Sequence, residues 1–337
     1  MIEIDGSIGG GQILRTSLSL SALTGKKFKI INIRGKREKG GLKAQHLTCI
    51  RALAKICSAK VQGDVLDSKE LTFLPDKVLS GNYQFDIGTA GSTTLVLQTL
   101  LPALLFLNEP SELEVIGGTA NPFAPPALDI QQVFLWHLEK IGIQVNFEVL
   151  KEGFYPKGGG KIKVVIHPCK ELKEIKLQES HQGHYETTQV IAVCSEELQQ
   201  KDVGKRMIEG FRFHFPVKHE LQTREEYVAT LSTGCYLHAN YTYDSCKLGM
   251  SVLGERTIKA EDIGKECALK LLHEMKSGEN VDSFTADQLL IYIAIKGTGK
   301  IRVAQITDHI RTNIQTIEQF LNVKFEIKDT LIECRKL

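Results

Sequence analysis

No apolar stretch in this sequence approaches the roughly 18 to 20 residues that a membrane-spanning helix needs. The longest, around Leu100 to Leu107, is interrupted by proline and alanine. The start, "MIEIDGSIGGG", has no basic segment followed by an apolar one, so no secretion signal is expected and the cytoplasm is the expected location. The eight cysteines form no C-x-x-C and no regular spacing with histidine. Such scattered residues read as reduced, packed thiols, which argues against a disulfide framework or a structural zinc site. Nor is there an excess of one charge: the formal net charge is +2, too little for a polycation that coats nucleic acid. The distribution is nevertheless uneven. "KKFKIINIRGKREKGGLK", Lys26 to Lys43, sets eight basic residues against one acidic residue, Glu38, and reads either as a solvated face or as a phosphate-binding stretch.

What is present suits a globular protein of 337 residues, 42% hydrophobic and 24% charged, long enough for a large core and for two domains. Hydrophobic periodicity predicts strand, helix, strand, helix, strand, strand over the first 80 residues: "MIEID", about Gln12 to Leu23, "FKIINIRG", about Leu42 to Cys57, then "KVQGDV" and "ELTFLP". The order returns from residue 83 with "YQFDIG", "AGSTTLVLQTLLPALL", "ELEVIGG", "ALDIQQVFLWHLEKIG", "IQVNFEVL" and "GKIKVVIHP". A third copy requires cutting the chain. Leu172 to Gln178 would be its first strand, with "TADQLLIYIAIKG", "KIRVAQI", "DHIRTNIQTIEQFLN", "VKFEIK" and "TLIECRK" completing it. The expected fold class is thus α+β: three βαβαββ repeats (about 1–80, 81–168, and 169–179 plus 279–337) forming a large catalytic domain of 1–179 and 279–337. A smaller α/β domain, 180–278, is inserted in the third repeat, with strands around "YETTQVIAVCS", "YVATLSTGCYLHANYTYD" and "KLGMSVLGER" and helices near Lys201 to Phe211 and Ala260 to Met275.

Several stretches can carry chemistry. His309 falls in the first turn of a helix capped by Thr307 or Asp308, where the helix dipole disfavours imidazolium and leaves a nucleophilic lone pair. By position alone, a first-turn histidine is more often an ordinary surface residue. "GSIGGGQILR" places Gly10, Gly11 and Gln12 where backbone N–H groups could reach a phosphate, or simply make a tight strand-to-helix turn. Arg34, Arg37, Gln45 and His46 gather in "IRGKREKGGLKAQHL", as suits phosphate held by arginine forks. With no aromatic residues interleaved there, this stretch looks built for phosphates rather than bases. "GGTANPFAPP" reads as a rigid crossover, "GFYPKGGGKIKV" as a hairpin turn, and Asp287 and Gln288 as ordinary first-turn residues of a helix.

Taken together, "GGGQILR", "GLKAQHLT", "GTAGSTTLVLQTLLPALL", "GGTANPFAPP", "GFYPKGGGKI", "LGER", "ADQLL" and "H…N…EQFL" run end to end in the order found in RNA 3′-terminal phosphate cyclases, which this chain resembles. The resemblance implies ATP-dependent conversion of an RNA 3′-phosphate to a 2′,3′-cyclic phosphodiester, with His309 forming a covalent histidine-AMP. It also implies nucleotide contacts from Pro125, Phe284, Asp287 and Gln288, phosphate contacts from Arg15, Arg34, Arg37, Gln45 and His46, and Mg²⁺ or Mn²⁺ as the ion. Family members usually read "DGS-x-G-E-G-G-G-Q"; here "DGSIGGGQ" is two residues shorter and lacks the glutamate that can bind metal, leaving Asp5 as a weak substitute. Gly40 stands where many members have proline. The alternatives are a non-catalytic cyclase-like factor of ribosomal RNA maturation and, more remotely, an enolpyruvyl transferase, whose repeats are akin.

Overall fold

The computed structural model describes residues 1–176, 186–217, 219–243, 246–275 and 280–337. The chain opens with β1 (Ile2–Asp5), α1 (Gly11–Thr24), β2 (Phe28–Ile31), α2 (Ala44–Ile56), β3 (Lys60–Gln62) and β4 (Leu71–Leu74), whose strands form a sheet of order β1-β2-β4-β3. Only the β1–β2 pair is parallel, as the intervening helix requires. A second sheet follows from β5 (Asn82–Asp86), α3 (Thr93–Leu104), β6 (Ser111–Gly117), α4 (Ala127–Asp129), α5 (Leu135–Lys140), β7 (Val145–Lys151) and β8 (Gly160–Ile166), in the order β5-β6-β8-β7.

Next come β9 (Glu186–Ser195), α6 (Val203–His214), β10 (Leu221–Val228), β11 (Cys235–Tyr243), β12 (Cys246–Leu253) and α7 (Ala260–Met275), with sheet order β10-β9-β11-β12. The chain closes with α8 (Ser283–Lys296), β13 (Thr298–Arg302), α9 (Asp308–Phe320), β14 (Val323–Lys328) and β15 (Leu331–Lys336), a three-stranded sheet of order β13-β15-β14.

One core joins the first, second and last of these sheets through α1, α2, α3, α8 and α9. Helix α1 lies at its centre, buried from Gln12 to Ala22 except at Arg15 and packed against α2, α3 and α9. Small hydroxyl residues make that close approach possible. Ser17 and Ser19 donate to the carbonyls four residues back, and Ser19 also donates to the Thr99 carbonyl of α3.

The β9–β12 sheet has a core of its own. Val190, Ala192 and Cys194 of β9 face α6 and α7, whereas Ile191 and Val193 face Ala120, Leu128, Phe154 and Tyr236. The strand's alternation therefore serves two apolar layers.

Four differences from the sequence reading have local causes. The segment 172–176 forms no strand because its backbone groups go to separate partners, Lys173 N–H to the Ile141 carbonyl and the Ile175 carbonyl to Lys300 N–H; Leu177 and Gln178 lie outside the described residues. The single helix expected at "ALDIQQVFLWHLEKIG" contains a π-helical stretch, Ile130–Phe134, between α4 and α5. The strand expected from Tyr227 to Asp244 is two: β10 begins earlier, at Leu221, and pairs in parallel with β9, while β11 pairs with it antiparallel. The helix expected from Lys201 starts at Val203, after a 3₁₀ turn at Glu196–Lys201.

Candidate active site

His309 stands in the first turn of α9, where Thr307 Oγ1 caps the helix by accepting from Ile310 N–H at 3.2 Å. Its side chain is 61% exposed, with Nδ1 3.9 Å from Asp287 Oδ2. That is ion-pair range, too long for a hydrogen bond. Nε2 is thus the ring nitrogen turned away from the carboxylate.

Asp287 joins three helices. Its Oδ1 accepts from Gln12 Nε2 of α1 (2.6 Å) and from Asn313 Nδ2 of α9 (3.0 Å). Asn313 Nδ2 also donates to the Asp287 carbonyl (2.9 Å), and its Oδ1 accepts from Thr16 (2.8 Å). Gln12 reaches further, donating to the His309 carbonyl at 3.2 Å. Burial pushes the Asp287 pKa up, while His309, Asn313, Arg15 and Gln12 pull it down. A cavity of about 50 Å³ behind this cluster, lined in part by Arg15, Gln98, Asp287, Gln288 and Asn313, has room for little more than a water or two.

The glycine turn sits directly against α2 and α9. Gly10 is the N-cap of α1 with no side-chain cap, so the first N–H groups of that helix are open to an anion. At Gly11 a Cβ would lie 2.3 Å from His46 Nε2 and 3.2 Å from Arg15 Nη1, and at Gly9 it would lie 3.3 Å from Thr312 Oγ1. Only a glycine lets these three helix starts meet. His46 is buried and its Nδ1 accepts from Lys43 N–H at 3.0 Å, which puts the ring proton on Nε2. Burial, then Arg15, Arg34 and Lys43, push its pKa down to about 3, so it is a neutral donor beside the glycine turn. Burial also lowers the pKa of Arg15, partly offset by Cys49 and Asp287, and the Arg15 guanidinium makes no hydrogen bond among the described residues. Its fork stays charged and available.

The remaining predicted residues differ in availability. Gln45 Oε1 accepts from Ser92 N–H (3.2 Å) at the N-cap of α3, tying α2 to the "GTAGST" turn. Arg34, in the left-handed region (φ 56°), donates through Nη1 to the carbonyls of Lys39 (3.2 Å) and Gly41 (3.1 Å) and so braces its own loop, whereas Arg37 is exposed. The Pro125 carbonyl accepts from Thr94 at 2.8 Å, which fastens the "GGTANPFAPP" loop to α3. Phe284 is 64% exposed on the first turn of α8, one turn before Gln288, whose Oε1 accepts from Gln98 at 2.5 Å. Two participants received no role from sequence. Asn313 carries the signal of lying four residues after His309, on the same face of α9, and Gln98 is a polar residue inside an apolar helix.

Asp5 is a turn residue: Oδ1 accepts from Ser7 N–H (2.9 Å) and from Asn32 (3.2 Å), bonds that lower its pKa. Among the described residues no three His, Cys, Asp or Glu side chains converge on one point. No described helix is long and apolar enough to cross a membrane.

Residues 7–327 match the family model described as RNA 3′-terminal phosphate cyclase. Proteins of that name are 40% identical in Pyrococcus furiosus (97% of this chain, 95% of the relative), 39% identical in Methanosarcina barkeri (97% of each) and 38% identical in Ectopseudomonas mendocina (96% and 93%). Likeness of this extent, over nearly the full length of both partners, means that the chain belongs to the RNA 3′-terminal phosphate cyclase family of enzymes.

Proposed function

We propose that this protein uses ATP to convert the 3′-terminal phosphate of an RNA into a 2′,3′-cyclic phosphodiester, with His309 as nucleophile. The observation that carries the reading is the exposed imidazole at the start of α9, its Nδ1 edge toward Asp287, with its carbonyl held by Gln12 and the Asp287 carboxylate held by Asn313. Family membership supports the activity.

The chemistry divides into three displacements. His309 Nε2 attacks the α-phosphorus of ATP, the bond to the β-phosphate oxygen breaks, and pyrophosphate leaves; Asp287 stabilises the positive charge that develops on the ring. An oxygen of the RNA 3′-phosphate then attacks the same phosphorus, breaking the N–P bond and forming an RNA-adenylate anhydride. Last, the neighbouring 2′-hydroxyl loses its proton and attacks the 3′-phosphorus, closing the cyclic diester and expelling AMP. Each step has a good leaving group, which an untreated phosphate monoester lacks.

The glycine turn (Gly10, Gly11, Gln12) with Arg15, Arg37, Gln45 and His46 is read as the phosphate cradle, Arg34 as brace of its loop, and Pro125, Phe284 and Gln288 as the adenosine side. Mg²⁺ or Mn²⁺, arriving with the triphosphate, would offset its charge. Asp287 and the exposed Asp308 are the carboxylates of α8 and α9 nearest His309 in the chain or in space that could contribute a ligand.

The architecture is read in the same way. The shared order of the first two sheets supports related units, and the separate core of the β9–β12 sheet supports an inserted domain within 180–278, both serving a cytoplasmic enzyme.

Incubation with ATP labelled at the α-phosphate, with either metal, tests the first step. Acid-labile label on wild-type protein, absent from His309→Ala, is the expected result. Folded wild-type protein that takes no label would overturn the reading in favour of a non-catalytic RNA-binding relative.

A further inference from the structure

Two aromatic side chains near the site are left in solvent with no packing role. Phe123 is 98% exposed and Tyr155 is 70% exposed. Phe123 also holds a backbone angle, φ 63°, that bulky residues rarely adopt. Its loop is nevertheless tied down on both sides. Ala124 N–H donates to the Asn121 carbonyl (3.3 Å), Ala127 N–H to the Thr119 carbonyl (2.7 Å), and Thr94 Oγ1 to the Pro125 carbonyl (2.8 Å). The ring is held outward by a fixed backbone, so its exposure is not slack.

The two rings leave from one place. Segments 119–121 and 153–155 run side by side, joined by the Thr119 N–H bond to the Gly153 carbonyl (2.9 Å) and a parallel bridge between Ala120 and Phe154. Phe123 follows three residues beyond that bridge and Tyr155 one residue beyond it. Ala90 lies against the first segment and just beyond the second: Asn121 Nδ2 donates to its carbonyl, and a Cβ at Gly158, three residues past Tyr155, would lie 2.8 Å from its Cα. Ala90 precedes the Gly91–Ser92 turn that Gln45 holds, so the rings border the phosphate cradle rather than a distant face. Lys157, exposed in the same loop, and exposed Arg37 supply cations along the approach.

We infer that Phe123 and Tyr155 form a stacking platform for the terminal bases of the RNA whose 3′-phosphate enters the cradle. Every base has a π face, so flat rings beside a basic path favour a single strand without fixing its sequence. RNA is the occupant because Phe284 and Pro125 already lie on the adenosine side of the proposed site. This inference rests on the proposed function, and its test separates the two.

The experiment measures binding of a 3′-phosphorylated oligoribonucleotide, intact or abasic at its last two positions, to wild type, Phe123→Ala and Tyr155→Ala, with protein labelling by ATP followed in parallel. The variants should bind intact RNA about tenfold more weakly. Removing the bases should weaken wild type by more than it weakens either variant, each of which keeps one ring, the non-additivity expected of groups in contact. Protein labelling by ATP should be unchanged. Additive losses would overturn the platform, as would variants that bind intact RNA like wild type. Variants with an increased ATP requirement for labelling would assign the rings to the nucleotide instead. If wild type binds RNA with the predicted base dependence yet never takes label, the platform stands and the catalytic reading fails.

Discussion

At Gly11 a methyl group has nowhere to go, because His46 Nε2 would lie 2.3 Å away and His46 is itself buried. Gly10, one residue earlier, has nothing within 4 Å of the same position. The two neighbours therefore separate close packing from mere glycine content. Gly11→Ala should be destabilised by about 1–3 kcal/mol, as overpacked sites are, and should label with AMP much more slowly because the cradle widens. Gly10→Ala should stay within about 1 kcal/mol of wild type, the usual scale of a cap change. Urea unfolding and the labelling rate decide both; equal effects from the two substitutions would mean that contact with His46 does not set the site. The glycine run was legible in the sequence as a tight turn between a strand and a helix. That one of its residues is fixed by a histidine some 35 positions away was not, since nothing local in the chain records that contact.

For the elements, the site depends on how α1, α8 and α9 register against each other, and Asn313 touches all three. It bonds Thr16 of α1 and Asp287 of α8 from its own place on α9, one turn after His309. Asn313→Ala leaves the Thr16 hydroxyl and the Asp287 carbonyl without that partner, at a cost of about 1–3 kcal/mol. It also frees the start of α9 to move. Misplacement of a reacting group by about 1 Å can cost on the order of a hundredfold in rate, so the maximal labelling rate at saturating ATP should fall at least about tenfold. A change confined to the ATP concentration needed for half-maximal rate would instead place Asn313 in nucleotide binding.

Helices were readable where their boundaries obey local rules: Thr307 caps α9 at the site, and away from it α7 runs from Ala260 to Met275 as its periodicity predicts. Elements were misread where pairing partners decide. The start of β10 at Leu221 is set by its parallel alignment with β9, and residues 172–176 are kept out of a ladder by hydrogen bonds to two different neighbours.

The β9–β12 sheet meets the rest of the molecule through a buried polar patch that no sequence pattern announced. Asp129, at the end of α4, accepts from Ser251 of β12 at 3.4 Å and lies 3.7 Å from His238 Nδ1 of β11. Nearby Asp282, which caps α8 through Phe284 and Thr285 N–H, also accepts from Gly249 N–H of β12 at 3.1 Å. The helix carrying Asp287 and Gln288 is thereby tied to the β9–β12 sheet. Burial, with Asp282 adding repulsion, pushes the Asp129 pKa up to about 8, while burial and Lys247 push that of His238 down to about 3. The folded chain thus keeps a proton on Asp129 that the unfolded chain releases above about pH 4. Asp129 therefore contributes stability that is fully present below that pH and is lost as the pH rises toward 8. Asn mimics the protonated acid and has no proton to give up. Asp129→Asn should consequently gain on wild type steadily between about pH 4 and 8, whatever fixed offset the exchange of donor for acceptor near Ser251 introduces. Trp136, the only tryptophan and seven residues along the same helical stretch, can report the unfolding in urea. A difference that stays constant over that range would mean Asp129 is ionised in the folded protein, and that the patch is held together by charge rather than by a shared proton.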